Sequence, residues 1–377
     1  MIRWVEVMVK IIGLYRCKSR RNAQNPCKLS ACSKAELGNI MRKKIILITG
    51  ANGEIGHGLI NALHAKGLDN ILALDLHPIS EEIENKILKG VMGNILDKNL
   101  LEQINSEYEI SAIYHLAALL STRAEFSPQM AHEVNVTGTL NLLTLAVDQA
   151  KSQDETVKFF FPSSIAVYGM GQCKDAVGAI NENEYCHPES MYGCNKLYCE
   201  NLGIYHANYY HRLADDFKPG HIDFRSIRFP GIISVKTVPT GGTSDFLPEM
   251  IHAAAQNIQY NCFVQNDTRM PFMVMPDAVL AILNLMNSDK SRLSQHVYNI
   301  ASFNPSAGEF AEKVKGYFPH AEIGNSVNGK RQGIVDSWPA NVDDSAARSD
   351  WNWSPKFDLN SAFEDYLIPQ ITKRYEK

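Results

Sequence analysis

The run Ile46-Leu47-Ile48-Thr49-Gly50-Ala51-Asn52-Gly53-Glu54-Ile55-Gly56 constrains this chain more than any other stretch. An apolar strand-like segment ends in three glycines spaced by three, and an amphipathic segment follows. This reads as strand, tight turn, helix. Gly50 permits the sharp turn, Gly53 lets a pyrophosphate approach the backbone, and Gly56 lets helix and strand pack closely. Phosphates then rest on the free N–H groups at the positive end of the helix dipole. A glycine trio alone is weak evidence, but one flanked by strand and helix meets the context a dinucleotide site requires. Asn52, Glu54 and Ile55 are expected cofactor contacts together with the three glycines.

The chain has 377 residues, enough for one large domain or two modest ones. A 45% apolar and 21% charged composition is that of an ordinary globular protein. The net charge of -4 gives no sign of a nucleic-acid partner. No apolar run reaches the roughly 18 residues of a membrane span, so no membrane partner is expected. The 8 cysteines form no C-x-x-C pair and none has a zinc-spaced histidine. Reduced, structural thiols and no metal are therefore expected.

Residues 1–41 differ from the rest. Arg3, Lys10, Arg16, Lys18, Arg20, Arg21, Lys28 and Lys34 are balanced only by Glu6 and Glu36. One reading is a basic targeting segment, which would put the protein in the mitochondrial matrix. The other is an extension upstream of a start at Met41, directly before Arg42-Lys43-Lys44. The second is preferred, with a cytoplasmic location.

A second strand, Asn70 to Leu74, ends at Asp75. An acidic residue about 20 positions past the glycines, at a strand end, suits the two hydroxyls of an adenosine ribose. No arginine follows Asp75 closely, so a 2′-phosphate meets repulsion, and the cofactor reads as NAD rather than NADP. A third strand, Gly90 to Met92, leads to Ile95 and Asp97. Asp97 either hydrogen-bonds the adenine amino group or caps the next helix. A fourth strand, Ala112 to Leu116, runs into Ala117 and Ala118, small residues along which a cofactor can lie, and then to Ser121. A helix over Ala131 to Ala150 contains Asn135. The fifth strand, Lys158 to Phe161, ends in Pro162-Ser163-Ser164.

Strands alternating with helices at these lengths predict an α/β fold. It is a Rossmann-type, doubly wound parallel sheet with a smaller C-terminal substrate-binding lobe. Residues 42–230 form the cofactor-binding domain, and 231–377 form the lobe, with some segments returning to the sheet.

Tyr192 and Lys196 are four apart at the start of a predicted helix and share one face. Oxidising an alcohol with NAD requires a base for the hydroxyl proton. A free phenol, with a pKa of about 10, is a poor base near neutrality. A nearby lysine ammonium and the positive nicotinamide favour the phenolate. Ser164, at the tip of the fifth strand, can hold the substrate oxygen against Tyr192. A lone Y-x-x-x-K carries little. Its order after the glycine turn, the acidic strand end and a strand-end serine is what carries weight.

With these residues the chain, from about Lys44 onward, resembles the extended short-chain dehydrogenase/reductases, the family that includes UDP-galactose 4-epimerase. That resemblance implies a Ser164, Tyr192 and Lys196 triad, with Asn135 supporting the lysine. Four further segments narrow it. These are Arg228 to Ser234, Gly241-Gly242-Thr243-Ser244-Asp245-Phe246, Met270 to Ala278 and Asp336-Ser337-Trp338-Pro339. They resemble the NAD-dependent L-threonine 3-dehydrogenases of the epimerase-like type. The resemblance implies that L-threonine is oxidised at its β-hydroxyl to 2-amino-3-oxobutanoate. It also implies Ser121, Ser164, Tyr192, Gly242, Thr243, Ser244 and Trp338 around the substrate, and a homodimer. Phe229, Phe246 and Ser244 depart from the family's usual tyrosines and threonine. The stretch Gly171 to His187 is longer than expected. The alternatives are a sugar-nucleotide epimerase or dehydratase with the same triad, and an NAD-binding protein without catalysis.

Overall fold

β1 (Lys43–Thr49) turns alternate side chains to opposite faces, and both faces are buried. Ile45 and Leu47 enter one apolar cluster and Ile46 and Ile48 another. That is the signature of a central strand in a sheet covered on both sides. The structure, a computed structural model, describes residues 42–376 apart from 175, 236 and 240. The expected N-terminal extension lies outside the described residues.

From β1 the chain runs through α1 (Glu54–His64), β2 (Ile71–Asp75), β3 (Lys89–Met92), α2 (Lys98–Glu107) and β4 (Tyr108–His115). It continues through α3 (Ser121–Phe126), α4 (Pro128–His132), α5 (Gly138–Gln153), β5 (Val157–Ser164), α6 (Met191–Asn208) and β6 (Ile222–Phe229). The second half holds β7 (Gly231–Ile233), α7 (Phe246–Ala255), β8 (Tyr260–Cys262), β9 (Phe272–Val274), α8 (Met275–Asn287) and β10 (Val297–Asn299). It ends with α9 (Ala307–Tyr317), β11 (Ile323–Asn325), α10 (Gly329–Asp336), α11 (Ser345–Trp351) and α12 (Ile368–Tyr375).

The main sheet has seven strands in the order β10-β6-β5-β4-β1-β2-β3. Every pairing in it is parallel. The run 3-2-1-4-5-6 is the Rossmann-type doubly wound order, with β10 added from the second half. The expected fold class is met. α2, α5 and α6 cover one face, where Leu101, Leu142 and Cys199 join Phe159, Phe161 and Phe224. α1 and α8 cover the other, where Leu59 and Ile282 meet Phe160 and Ile227. Each fully buried aliphatic or aromatic side chain contributes roughly 1.5–3 kcal/mol. A third cluster, around Phe246, Phe263, Phe272, Phe310 and Trp338, comes mainly from the second half and takes in Ile165 to Tyr168, Met170 and Ile180 from the first. Two short parallel pairs, β7 with β9 and β8 with β11, lie in the same half.

Two local expectations are corrected. The fifth strand does not stop at Phe161 but runs on through Pro162, Ser163 and Ser164, in register with Ile227, Arg228 and Phe229. Proline removes one donor from a ladder but leaves its carbonyl, and the Lys196 ammonium donates to that carbonyl at 2.6 Å. The helix expected over 131–150 is not continuous. A π-helical turn, Glu133–Thr137, separates α4 from α5, and Asn135 sits inside it. Such turns concentrate at functional sites.

Candidate functional site

The glycine turn lies at the carboxyl ends of β1 and β4, where doubly wound sheets bind their ligands. Gly50 has φ of +69°. A Cβ there would stand 2.6 Å from the Ala117 nitrogen, so the turn and the Leu116-Ala117 backbone touch and only glycine fits. Ala118, next along, is half-buried at the same strand end. Gly53 is the N-cap of α1 and offers no side-chain cap, which leaves the first-turn N–H groups to a ligand. Gly56 and Ile55 pack inward from the same turn. Asp75 accepts from the Asn52 N–H at 3.0 Å and the His77 N–H at 3.1 Å. The Asn52 side chain is committed elsewhere, donating to the Pro78 carbonyl and accepting from the Ser80 N–H. The turn, the uncapped helix end and the acidic strand end therefore fit a dinucleotide. Asp97 caps α2 through the Asn99 and Leu100 N–H groups, the second of its two expected roles. Ile95 is buried, and its side chain packs where a Cβ on Gly138 would fall.

Glu54, the first residue of α1, carries an unusual carboxyl. It is pushed up to about 7, by desolvation of the carboxyl first and by the Asp245 carboxylate second, although the residue as a whole keeps an exposed surface. It also acts on the Tyr366 phenol. Asp245 therefore lies within electrostatic range of the start of α1. Because the pKa is raised, the carboxyl is neutral below about pH 7 and ionised above it, where an ordinary glutamate is ionised throughout. The expected result is NAD affinity that falls as pH rises from 6 to 8. One added charge near the pyrophosphate is worth about 1 kcal/mol, or roughly 5-fold. Calorimetric titration of NAD at both pH values checks this, and Glu54→Gln should flatten the difference.

Tyr192 lies in the first turn of α6, which Ser190 caps by accepting from the Gly193 N–H. The entry into this helix is also fixed by Glu125 of α3, which accepts from the Met191 N–H at 2.7 Å. A Cβ at Gly193 would lie 2.0 Å from the Ala166 carbonyl oxygen. The start of α6 therefore presses on the turn that follows Ser164. Ser164 accepts from the Ala166 N–H at 3.1 Å, which leaves its own proton to donate. The Lys196 ammonium lies 5.3 Å from the Tyr192 ring centre and 4.6 Å from that of Phe161. Lys196 is 3% exposed. Burial pulls its pKa down to about 8, against the charges of Cys199 and Glu200. Burial pushes the Tyr192 phenol above its ordinary range. The Asn135 amide accepts from the Leu119 N–H and donates to the Leu119 carbonyl and the Asn195 side chain. It thus pins the strand-end segment onto α6. His115 bridges Thr49 and Thr139. Burial first, and Lys196 second, hold its imidazole down to about 3.

Among the substrate candidates, Thr243 is 2% exposed and Trp338 is 4% exposed, while Gly242, Ser244 and Ser121 are half-buried. Trp338 sits in the third apolar cluster, and Tyr192 packs at the edge of the same cluster. The Trp338 indole N–H is buried without a hydrogen-bond partner. The long 171–187 stretch has a visible role. Met170 donates to the Ser337 carbonyl, Ile180 bridges Val342, and Lys174 donates to the Val335 carbonyl. It buttresses the segment that carries Trp338.

Residues not singled out in the sequence also shape the site. Thr122 donates to the Gly241 carbonyl at 3.1 Å, and Arg331 donates to the Gly242 carbonyl. Arg228 and Glu200 form a buried bidentate pair behind the triad. Glu200 stands one turn after Lys196 on the same helix, a spacing that could have flagged it. Thr122 and Arg331 carry no such signal.

The model of the NAD dependent epimerase/dehydratase family matches residues 46–301. A mitochondrial L-threonine 3-dehydrogenase from Bos taurus is 34% identical over 317 residues, covering 83% of this chain and 79% of the relative. An L-threonine dehydrogenase structure from Clostridium difficile superposes with a TM-score of 0.77 at 32% identity, covering 88% and 99% of the two chains. A structure described as a monomeric L-threonine 3-dehydrogenase from a metagenome gives a TM-score of 0.76 at 36% identity, covering 88% and 100%.

Proposed function

The chain belongs to the NAD dependent epimerase/dehydratase family, and from its similarity to L-threonine dehydrogenases within that fold we propose an NAD-dependent L-threonine 3-dehydrogenase that yields 2-amino-3-oxobutanoate. The observation that carries the alcohol-oxidising chemistry is the start of α6, and the choice of threonine over a nucleotide sugar rests on the similarity to L-threonine dehydrogenases. At that helix start Tyr192 and Lys196 share one face and Gly193 is pressed against the turn after Ser164.

Tyr192 takes the β-hydroxyl proton at its phenol oxygen. Burial opposes the phenolate, so its charge requires a cation close by. Lys196 supplies one, held in place by the Pro162 carbonyl. Ser164 donates to the substrate oxygen, its hydroxyl oriented by the Ala166 N–H, from which it accepts. When bound, NAD would supply the acceptor for the hydride leaving the threonine β-carbon and a positive ring that favours the phenolate. Asp75 takes the ribose hydroxyls, and the Gly50–Gly56 turn takes the pyrophosphate. Thr243, Ser244 and the Gly242 backbone hold the amino acid, and Trp338 closes the pocket. Residues 42–230 then hold the cofactor and supply Ser164 and Tyr192, and 231–377 close over the substrate, with α8 and β10 returning to the sheet.

The test is NADH formation at 340 nm with L-threonine and with no substrate, alongside chromatography of UDP-galactose, whose epimerisation returns its hydride and leaves no net NADH. Threonine-dependent NADH supports the reading. Turnover of the nucleotide sugar alone overturns it.

The protein is further proposed to be a homodimer. α3 and α6 pack together, and their outer sides leave Phe126 at 84% exposure with Tyr198 and Tyr205 also exposed. Analytical ultracentrifugation decides, and Phe126→Asp with Tyr198→Asp should dissociate the pair. Among the described residues no helix is long and apolar enough to cross a membrane. A cytoplasmic location is proposed. Fusing residues 1–40 to a reporter tests it against the mitochondrial matrix.

A further inference from the structure

Two carbonyls of the Gly241–Ser244 run are gripped from different parts of the molecule. Thr122, directly after Ser121 on α3, donates to the Gly241 oxygen at 3.1 Å. Arg331, from α10, donates to the Gly242 oxygen. The same guanidinium sits over a buried ring, with its central carbon 3.2 Å from the Phe263 ring centre. One of its nitrogens is 3.8 Å from Glu249, and Glu249 accepts from the Tyr260 hydroxyl at 2.9 Å. The Arg331 backbone is fixed too, because the Asn328 side chain caps α10 by accepting from the Lys330 and Arg331 N–H groups. α10 is anchored further by Gln332, which accepts from the Gln265 N–H. It ends at Asp336 and leads directly into Ser337 and Trp338.

We propose that Arg331 is a positioning residue for the amino-acid substrate. It sets the Gly241–Ser244 loop against Thr122 and couples that loop to the Trp338 segment, without itself touching the reacting atoms. This rests on the threonine reading above.

Three physical points carry it. A trans peptide holds its N–H opposite its C=O, so the grip on the Gly242 oxygen turns the Thr243 amide away from the arginine. The Asp245 carboxylate meanwhile accepts from the Gly242 N–H at 2.6 Å. The loop is thus held on both sides of one glycine, a residue that has no conformational preference of its own to hold it there. A planar guanidinium can lie on Phe263 and still direct an N–H at a carbonyl, whereas a lysine ammonium is a point charge and cannot do both. Arg331 already faces the Glu249 carboxylate, which suits an anchoring role.

The test compares wild type, Arg331→Ala and Arg331→Lys by steady-state NADH formation, with NAD binding measured separately. Arg331→Lys keeps the charge and most of the stem, so it remains informative should the alanine variant fold poorly. The expected result is a KM for L-threonine raised about 10-fold or more in both variants, the size of one lost charge-assisted hydrogen bond. Turnover at saturation should stay within about 3-fold. NAD affinity should be unchanged, and millimolar guanidinium should lower the KM of the alanine variant. A KM that does not move, a lysine variant equal to wild type, or a loss confined to kcat or to NAD binding overturns the proposal. If wild type itself does not oxidise threonine, the underlying reading has failed and the proposal falls with it. Active wild type with indifferent variants refutes the proposal alone.

Discussion

Tyr192→Phe is expected to cut threonine turnover by about 100-fold or more, the usual worth of a positioned acid–base group, while NAD still binds. The variant deletes one oxygen and keeps the ring at the edge of the apolar cluster, so the fold should be untouched. The loss should fall on kcat and kcat/KM equally, because the phenol's advantage is realised only as the proton leaves the substrate. Near-wild-type NADH formation by a purified variant would remove Tyr192 from the mechanism. A loss matched by a failure to bind NAD would show that the ring holds the cofactor instead.

The second large effect concerns stability. Arg228 and Glu200 are both nearly inaccessible, and the guanidinium is bidentate to the carboxylate at 2.9 and 2.7 Å. Ser163 donates to the same carboxylate, and Arg228 also donates to the Tyr168 hydroxyl and the Glu182 carbonyl. Arg228→Met leaves a buried carboxylate with Ser163 as its remaining donor, and takes a donor from the Tyr168 hydroxyl and from the Glu182 carbonyl, which keeps Cys186. A cost of about 3–5 kcal/mol is expected, as for other buried pairs that lose one partner. The double variant Arg228→Met with Glu200→Leu should recover most of it, since a buried pair and an apolar pair of similar volume differ little. Urea unfolding followed by near-ultraviolet circular dichroism measures both. A single variant with an unshifted midpoint would mean that water reaches the carboxylate.

The pair also explains why the site was only partly legible. The glycine turn, the acidic strand end and the Tyr192-Lys196 spacing are local patterns, each tied to one strand or one helix face, so the chain alone exposes them. The parallel sheet followed because both-face burial writes continuous apolar runs such as Ile45 to Ile48. Pro162 was misjudged because a proline usually ends a strand, and nothing nearby reveals that its carbonyl is needed by Lys196. β7, β8, β9 and β11 are three residues each, too short for alternation to register. Thr122 and Arg331 reach the Gly241–Ser244 loop across more than eighty positions of chain, and lone polar residues at such separations leave no periodic trace. The 171–187 excursion looked like surplus length. Its purpose appears only where it meets Ser337 and Val342.

The π-helical turn at Glu133–Thr137 has a consequence for how this chain can tolerate change. A wider turn holds one residue more than the regular helix needs, and each residue rotates an α-helix by about 100°. Deleting a single amino acid there would relax the backbone into an unbroken helix, a gain for the element considered alone. It would also swing the Asn135 amide off Leu119 and Asn195. The stranded Leu119 and Asn195 groups would offset the gain in regularity, so the shortened protein should lose far more activity than stability, which would mark this one surplus position as kept for chemistry.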